Sequence, residues 1–205
     1  MNAILQNLGI LLGGSWASGI NLYLTVAGLG IAGRLGLINL PGGLEVISHP
    51  LVILAAVLLF VVEFFADKIP YVDSAWDSVH TVIRPLGAAA LTYMALPPST
   101  NEAAHLSLAM LSGSVAMDSH LTKATTRVAI NTSPEPFTNS IASVTEDSLV
   151  LGTLWLLVTH PIIAGVLVIL FIIFSIWFLK VMFRFLKKVF RFLTGEEEEG
   201  AKTEN

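Results

Sequence analysis

The stretch "FFADKIPYVDSAWDSVHTVIRP", Phe64 to Pro85, decides how this chain is read. It holds Asp67, Lys68, Asp73, Asp77, His80 and Arg84, with Glu63 just ahead of it. The run leading in, Leu51 to Val62, has no polar side chain. Asp73, Asp77, His80 and Arg84 are spaced i, i+4, i+7 and i+11. At helical pitch they fall within about 60° of arc, on one face. Val72, Trp76, Val79 and Ile83 make an apolar face beside it. The spacing predicts a short amphipathic helix bounded by Pro70 and Pro85, with Ser74 and Asp77 fitting a capping box. Leu86 to Leu96 follows as a segment of only about 16 Å, half a bilayer, and reads as re-entrant or half-length. Such a helix either rests on the membrane surface or turns its charges to partners inside a bundle. A short, proline-interrupted segment next to it favours the inside.

Working outward, the composition agrees with lipid. Of 205 residues, 54% are hydrophobic and 13% charged, against about a quarter charged in an ordinary soluble domain. Mean hydropathy is +0.76. Ile162 to Leu179 carries no charge and only Ser175 as a polar side chain, long enough to cross roughly 30 Å of hydrocarbon. Further candidate segments run from Ile4 to Ala32, interrupted by "GGSWASGIN", and over Leu51 to Ala66, Leu86 to Leu96, Ala103 to Met117 and Ile141 to His160. The expected fold is an all-α integral membrane protein with five or six membrane helices, one half-length or re-entrant, joined by amphipathic linking helices. Met1 to Leu12 has no Lys or Arg, so it reads as mature protein rather than a secretory signal. The absence of cysteine removes disulfides, thiolate metal sites and thiol nucleophiles.

Three regions follow: a membrane domain over 1–179, a basic juxtamembrane helix over 180–194, and a disordered acidic tail over 195–205. Lys180, Arg184, Lys187, Lys188 and Arg191 mark the helix, with Phe183, Leu186, Phe190 and Leu193 on another face. Basic residues beside a span place it on the cytoplasmic side of a multi-pass cell-membrane protein, and they suit contact with anionic lipid. The bilayer is the main partner implied, self-association into a homo-oligomer is left open, and nothing points to nucleic acid.

A second polar block, "MDSHLTKATTRVAINTSPEPFTNSIASVTED", spans Met117 to Asp147. His120, Lys123 and Arg127 form a cationic stripe at i, i+3 and i+7. Asn139, Ser143 and Glu146 lie at i, i+4 and i+7 beyond the prolines, with Asp147 alongside. Charges inside a candidate span are either functional or an internal ion pair, such as Arg127 with Glu146. Both polar blocks follow an apolar segment and open on Val-Asp-Ser or Met-Asp-Ser, which suggests a weak internal duplication. In the first segment, Gly14 with Ser18 and Ser15 with Gly19 fit the small-xxx-small pattern of close helix packing. Local unwinding there is the alternative.

On "SWASGINLYLTVAGLG", "FFADKIPYVDSAWDSVHTVIRPLGA" and "TRVAINTSPEPFTNSIASVTED" the chain resembles a family of membrane proteins catalogued as domain of unknown function 4126. The resemblance reaches to about His160 and implies a helical membrane domain, with no activity or site residue attached. Function is therefore read from the residues. Asp73, Asp77, His80, Arg84, His120, Lys123, Arg127, Asn139, Glu146 and Asp147 suit a transporter or channel-like carrier of a small ion or polar solute. A lipid scramblase with a polar headgroup groove and a non-transporting scaffold are the alternatives. No H-E-x-x-H or G-x-S-x-G motif is present, so no catalytic residue, cofactor or metal is assigned. Asp73, Asp77 and His80 on one face are a weak signal for a divalent ion.

Overall fold

The computed structural model describes residues 2–132 and 136–194. Among them the chain is helical, with no strand. The helices are α1 (Asn2–Ile20), α2 (Leu22–Arg34), α3 (Pro50–Ala66), α4 (Val72–Ala95), α5 (Glu102–Ile130), α6 (Pro136–Thr159) and α7 (Pro161–Thr194), with a 3-10 stretch Gly42–Ser48 before α3. The acidic tail 195–205 lies outside the described residues.

Local chemistry sets several boundaries. Pro50 occupies the first turn of α3, where its missing N–H costs nothing, and the His49 ring accepts from Leu51 N. Asn101 caps α5 by accepting from Ala103 N at 2.8 Å. Asn21 is extended (φ −150°) and accepts from Leu24 N at 2.9 Å, ending α1 and capping α2 within one residue. Close approaches then fix the directions. Gly9 meets Pro161 and Gly13 meets Leu157, so α1 runs against α6. Asn21 reaches Asp147 and Gly28 meets Leu154, so α2 runs with α6 and doubles back on α1. Gly30 meets Ile53, Arg84 meets Gly19, and the Trp16 ring meets Phe171 at 5.1 Å. The helices therefore alternate up and down, with α4 packed most extensively on α5.

Two helices are long and apolar enough to cross a membrane, Phe137–Thr159 and Pro161–Lys188. A third counts if the 3-10 stretch and α3, bent by 68°, form one span. The burial pattern is inverted relative to a soluble bundle. On α4 the buried residues are Asp73, Asp77, His80, Arg84, Ala88, Thr92 and Ala95. Its outward residues include Val79 (61% exposed), Val82 and Leu86 (64%). α5 likewise turns Leu106, Met110 and Leu111 outward and keeps His120, Lys123 and Arg127 inside. An apolar core of Trp16, Ile20, Leu24, Val115, Val150, Leu154 and Val168 packs beside this polar interior.

Five expectations change. The amphipathic helix and the half-length segment after it are one helix, α4, passing straight through Pro85. Proline removes one backbone hydrogen bond, and the α4–α5 packing holds the helix together there. The Ser74–Asp77 capping box does not form. α4 starts earlier, after Tyr71 in a left-handed conformation (φ 68°), and Asp73 itself accepts from Ser74 N. Ala103 to Met117 and the cationic stripe are likewise one helix, α5, so linking helices are not separate elements. That also removes the duplicated unit. The chain breaks between α3 and α4 in the first block, but only after the cationic stripe in the second. The basic 180–194 segment continues α7 without interruption.

Candidate functional site

Most of the charge inside the bundle converges on one buried network. Arg84, with 0% of its surface exposed, donates from Nη2 to Glu63 Oε1 at 2.6 Å and from Nη1 to His120 Nδ1 at 2.7 Å. Lys123 Nζ donates to Asp67 Oδ2 at 2.6 Å and lies 3.6 Å from Glu63, 3.6 Å from Glu146 and 3.9 Å from Asp77. Arg127 grips Glu146 with two prongs, Nε to Oε1 at 3.2 Å and Nη2 to Oε2 at 2.7 Å. Its Nη1 donates to Asn139 O and Oδ1, and it closes on Asp67 at 3.6 Å. Two-pronged guanidinium–carboxylate geometry fixes both partners in direction as well as distance.

The helix break supplies acceptors. Because α1 ends at Ile20, the carbonyls of its last turn have no helical partner. Gly19 O accepts from Arg84 at 3.2 Å and Ile20 O from Lys123 at 3.4 Å. The negative end of the α1 dipole thus faces two cations. Asn21 donates to Asp147 Oδ1 at 3.0 Å. Beside the break, Tyr23 hydroxyl and His80 Nε2 are 3.0 Å apart, with His80 Nδ1 on Trp76 O.

The sequence-predicted residues fare unevenly. Asp77, Arg84, His120, Lys123, Arg127, Asn139 and Glu146 belong to the network. Asp73 joins it through Asn131, whose Nδ2 donates to both Asp73 oxygens while its Oδ1 accepts from Asn139. His80 and Asp147 sit at its rim, each tied to a residue of the α1–α2 turn. The divalent-ion option for Asp73, Asp77 and His80 fails on partners, since Asn131 holds Asp73 and Tyr23 holds His80. Among the described residues, no group of three or more His, Asp or Glu could hold a metal. Small-residue packing divides too. A side chain on Gly19 would strike Ser119 and the Ala116 carbonyl, and Ser15 Oγ lies 2.5 Å from Ser112 Oγ. Gly14, by contrast, faces open space.

Sequence reasoning left Glu63, Asp67 and Asn131 out of the site, and read Asn21 and Tyr23 as buried polar handles of a packing segment, with a locally unwound helix contributing to a site as the alternative. Glu63 carried a usable signal, being the lone charge in the apolar run of α3. Asp67, Asn21 and Tyr23 stand in polar stretches the sequence marks, whereas nothing local marked Asn131, whose partner Asp73 is distant in the chain.

The same residues carry the resemblance to a known family. Residues 8–181 match the family catalogued as a domain of unknown function, DUF4126. The chain belongs to that family. No curated protein and no solved structure matches it. The matched range takes in the whole buried network of this DUF4126 chain, from the α1–α2 turn to Asp147, and most of α7.

Proposed function

We propose that the chain is a multi-pass membrane protein that carries a proton or another small cation through its buried charge network. In this reading α1 and α3 to α7 cross the bilayer, α2 is a short return hairpin, and the basic end of α7 faces the cytoplasm. The outward apolar faces of α4 and α5 support it, since charges buried behind such faces are shielded from lipid by the protein itself.

One observation carries the functional reading. Across the network and its rim, Glu63, Asp67, Asp73, Asp77, Glu146 and Asp147 stand against Arg84, Lys123, Arg127 and the half-buried Lys68, six carboxylates against four cations. The surplus negative charge is buried, which is costly unless a proton or cation neutralises it. Asp77 is the exchangeable position. It lies 3.2 Å from Arg84 Nη1, yet neither of its oxygens accepts a hydrogen bond from a described residue. Glu63 Oε2 and Asp67 Oδ1 are also without donors. A network serving only to fix the fold gains by satisfying every oxygen. Here Glu63, Asp67 and Asp77, which share Lys123, each keep a spare acceptor, and Asp147 Oδ2 at the rim is another. A lipid-scrambling path needs a polar groove open to the acyl chains, and α1, α3, α4, α5 and α6 close around the network instead.

The test is flux in reconstituted vesicles under an imposed pH gradient, with Na⁺, K⁺ or choline as the only other cation. Wild-type protein should dissipate the gradient, and Asp77→Asn should lose at least tenfold in rate while eluting as a folded species. Vesicles that hold their gradient under every cation would return the network to a structural role.

A further inference from the structure

A carrier site sealed in a bundle needs a route to water. On the described structure that route is drawn by two hollows lying end to end along α4. The first is a small cavity of about 20 Å³, lined by Gly14, Ser15, Ser18, Leu44, Ala88 and Thr92 among others. That volume holds one water, which needs polar partners to stay. The partners are present. Ser18 Oγ is wholly buried and makes no hydrogen bond to a described residue. Ser15, Ser112 and Thr92 form a chain of hydroxyls beside it, Ser15 to Ser112 at 2.5 Å and Thr92 to Ser112 at 2.7 Å. Gly14 opens one wall, since a side chain there would meet nothing within 4 Å.

The second hollow is an open vestibule of about 480 Å³, bordered by Gly43, Tyr93, Met94, Thr100, Glu102 and His105. Neighbouring residues border the two: Leu44 and Thr92 line the small cavity, and Gly43 and Tyr93 line the vestibule. At its other end the small cavity reaches Ala88, four residues from Arg84, about 6 Å along the helix axis. Ser18 adjoins Gly19, whose carbonyl already holds Arg84. From Asp77 to Tyr93 the line covers about 24 Å of α4, most of a hydrocarbon thickness.

We infer that Ser18, Ser15, Thr92 and Ser112 form a hydrated proton path joining the vestibule at Tyr93 and His105 to the charge network at Arg84 and Asp77. The inference rests on the carrier reading and names water and the proton as what uses this entrance. Ser18 Oγ and the cavity water relay hydrogen bonds where no protein group spans the gap between the hydroxyl chain and the network. The wider solute stays out, because the hollow admits only a particle the size of water.

The lack of any cysteine makes the path testable by silver ion, which is close to water in size and reacts with thiols. Ser18→Cys and Thr92→Cys would be placed on the path, and Val150→Cys in the apolar core away from it. Protein in vesicles is exposed to Ag⁺, and surviving thiol is counted with a maleimide after denaturation. Path cysteines should be consumed at least tenfold faster than Val150→Cys. Adding Gly14→Val, whose Cβ meets nothing within 4 Å and whose methyls would occupy the cavity, should slow Ser18→Cys to the Val150→Cys rate. Path thiols no faster than the core thiol, or indifferent to Gly14→Val, would overturn the path. Proton flux separates the two ideas. A Gly14→Val protein that conducts like wild type refutes the path and spares the carrier. A wild type with no flux refutes the carrier, and silver then still decides whether the hollow is hydrated. Should Gly14→Val elute aggregated, Gly14→Ala serves as the smaller plug, with a partial slowing of Ag⁺ as the expected result.

Discussion

The Arg127–Glu146 pair shows what a buried charge contributes and what its loss costs. Arg127 has 0% of its surface exposed, and its guanidinium holds Glu146, Asn139 and the Asp67 carbonyl at once. Removing one partner strands the other in a place water does not reach, which costs about 3–5 kcal/mol. Removing both leaves no orphaned charge. Glu146→Gln and Arg127→Met should therefore each lower the unfolding temperature in detergent, and the double variant should recover a large part of the loss. A double variant as unstable as the sum of the singles would show that the two residues act independently. Asp77→Asn should behave differently, because Asp77 accepts no hydrogen bond from a described residue. It should leave the unfolding temperature within a few degrees of wild type while removing flux. At this scale the sequence was informative about which residues are polar and share a face, and silent about their partners. Spacing along one helix placed Asp77 and Arg84 together, but the Glu63 carboxylate reaches Arg84 from α3, 21 residues away. Only tertiary packing could reveal that.

Among the elements, the α1–α2 turn does the most to shape the site. One extended residue, Asn21, frees the carbonyls of Gly19 and Ile20 for Arg84 and Lys123 and turns α2 back on α1. The turn sits deep in the bundle because Gly19 lets α1 come against α5 without a side chain between them. Gly19→Ala would push its methyl into Ser119 and the Ala116 backbone, and overpacking of this kind costs about 1–3 kcal/mol. Gly14→Ala, five residues back on the same helix, meets nothing and should leave stability unchanged or slightly raised. Equal effects of the two substitutions, measured by thermal unfolding, would mean that α1 and α5 are not in close contact at Gly19. The interruption at "GGSWASGIN" was legible because glycine, serine and asparagine break an otherwise apolar run. The continuity of α4 was not. Pro85 reads locally as a helix end, and nothing nearby announces that the neighbouring helix will carry it through.

For the whole molecule, the burial pattern sets apolar side chains outward and polar ones inward on α4 and α5. Charged and neutral polar residues lower the mean hydropathy of α4 and α5, yet Asp77, His80, Arg84, His120 and Lys123 point inward while Val79, Val82, Leu86 and Met110 point outward. The arrangement also fixes which end of the bundle holds what. Asp118 of α5 accepts from Ser175 of α7 at 2.6 Å, and Trp16 of α1 meets Phe171. The basic end of α7 beyond Ser175 therefore lies toward the same side as the charge network. The vestibule of Glu102 and His105 belongs to the opposite end, where α7 begins. α7 has 34 residues, about 51 Å of helix, well beyond a hydrocarbon thickness of roughly 30 Å, so in the proposed topology its basic end would emerge from the bilayer. In the orientation proposed above, with the basic residues retained on the cytoplasmic side, the network would lie near the inner face and the vestibule would open outward. Cysteine scanning reads this directly. In intact cells, Glu102→Cys should react with a membrane-impermeant maleimide added outside, whereas Lys187→Cys should react only after permeabilisation. Lys187→Cys labelled from outside would invert the protein in its membrane, and both labelled from one side would break the up-and-down order from α5 to α7.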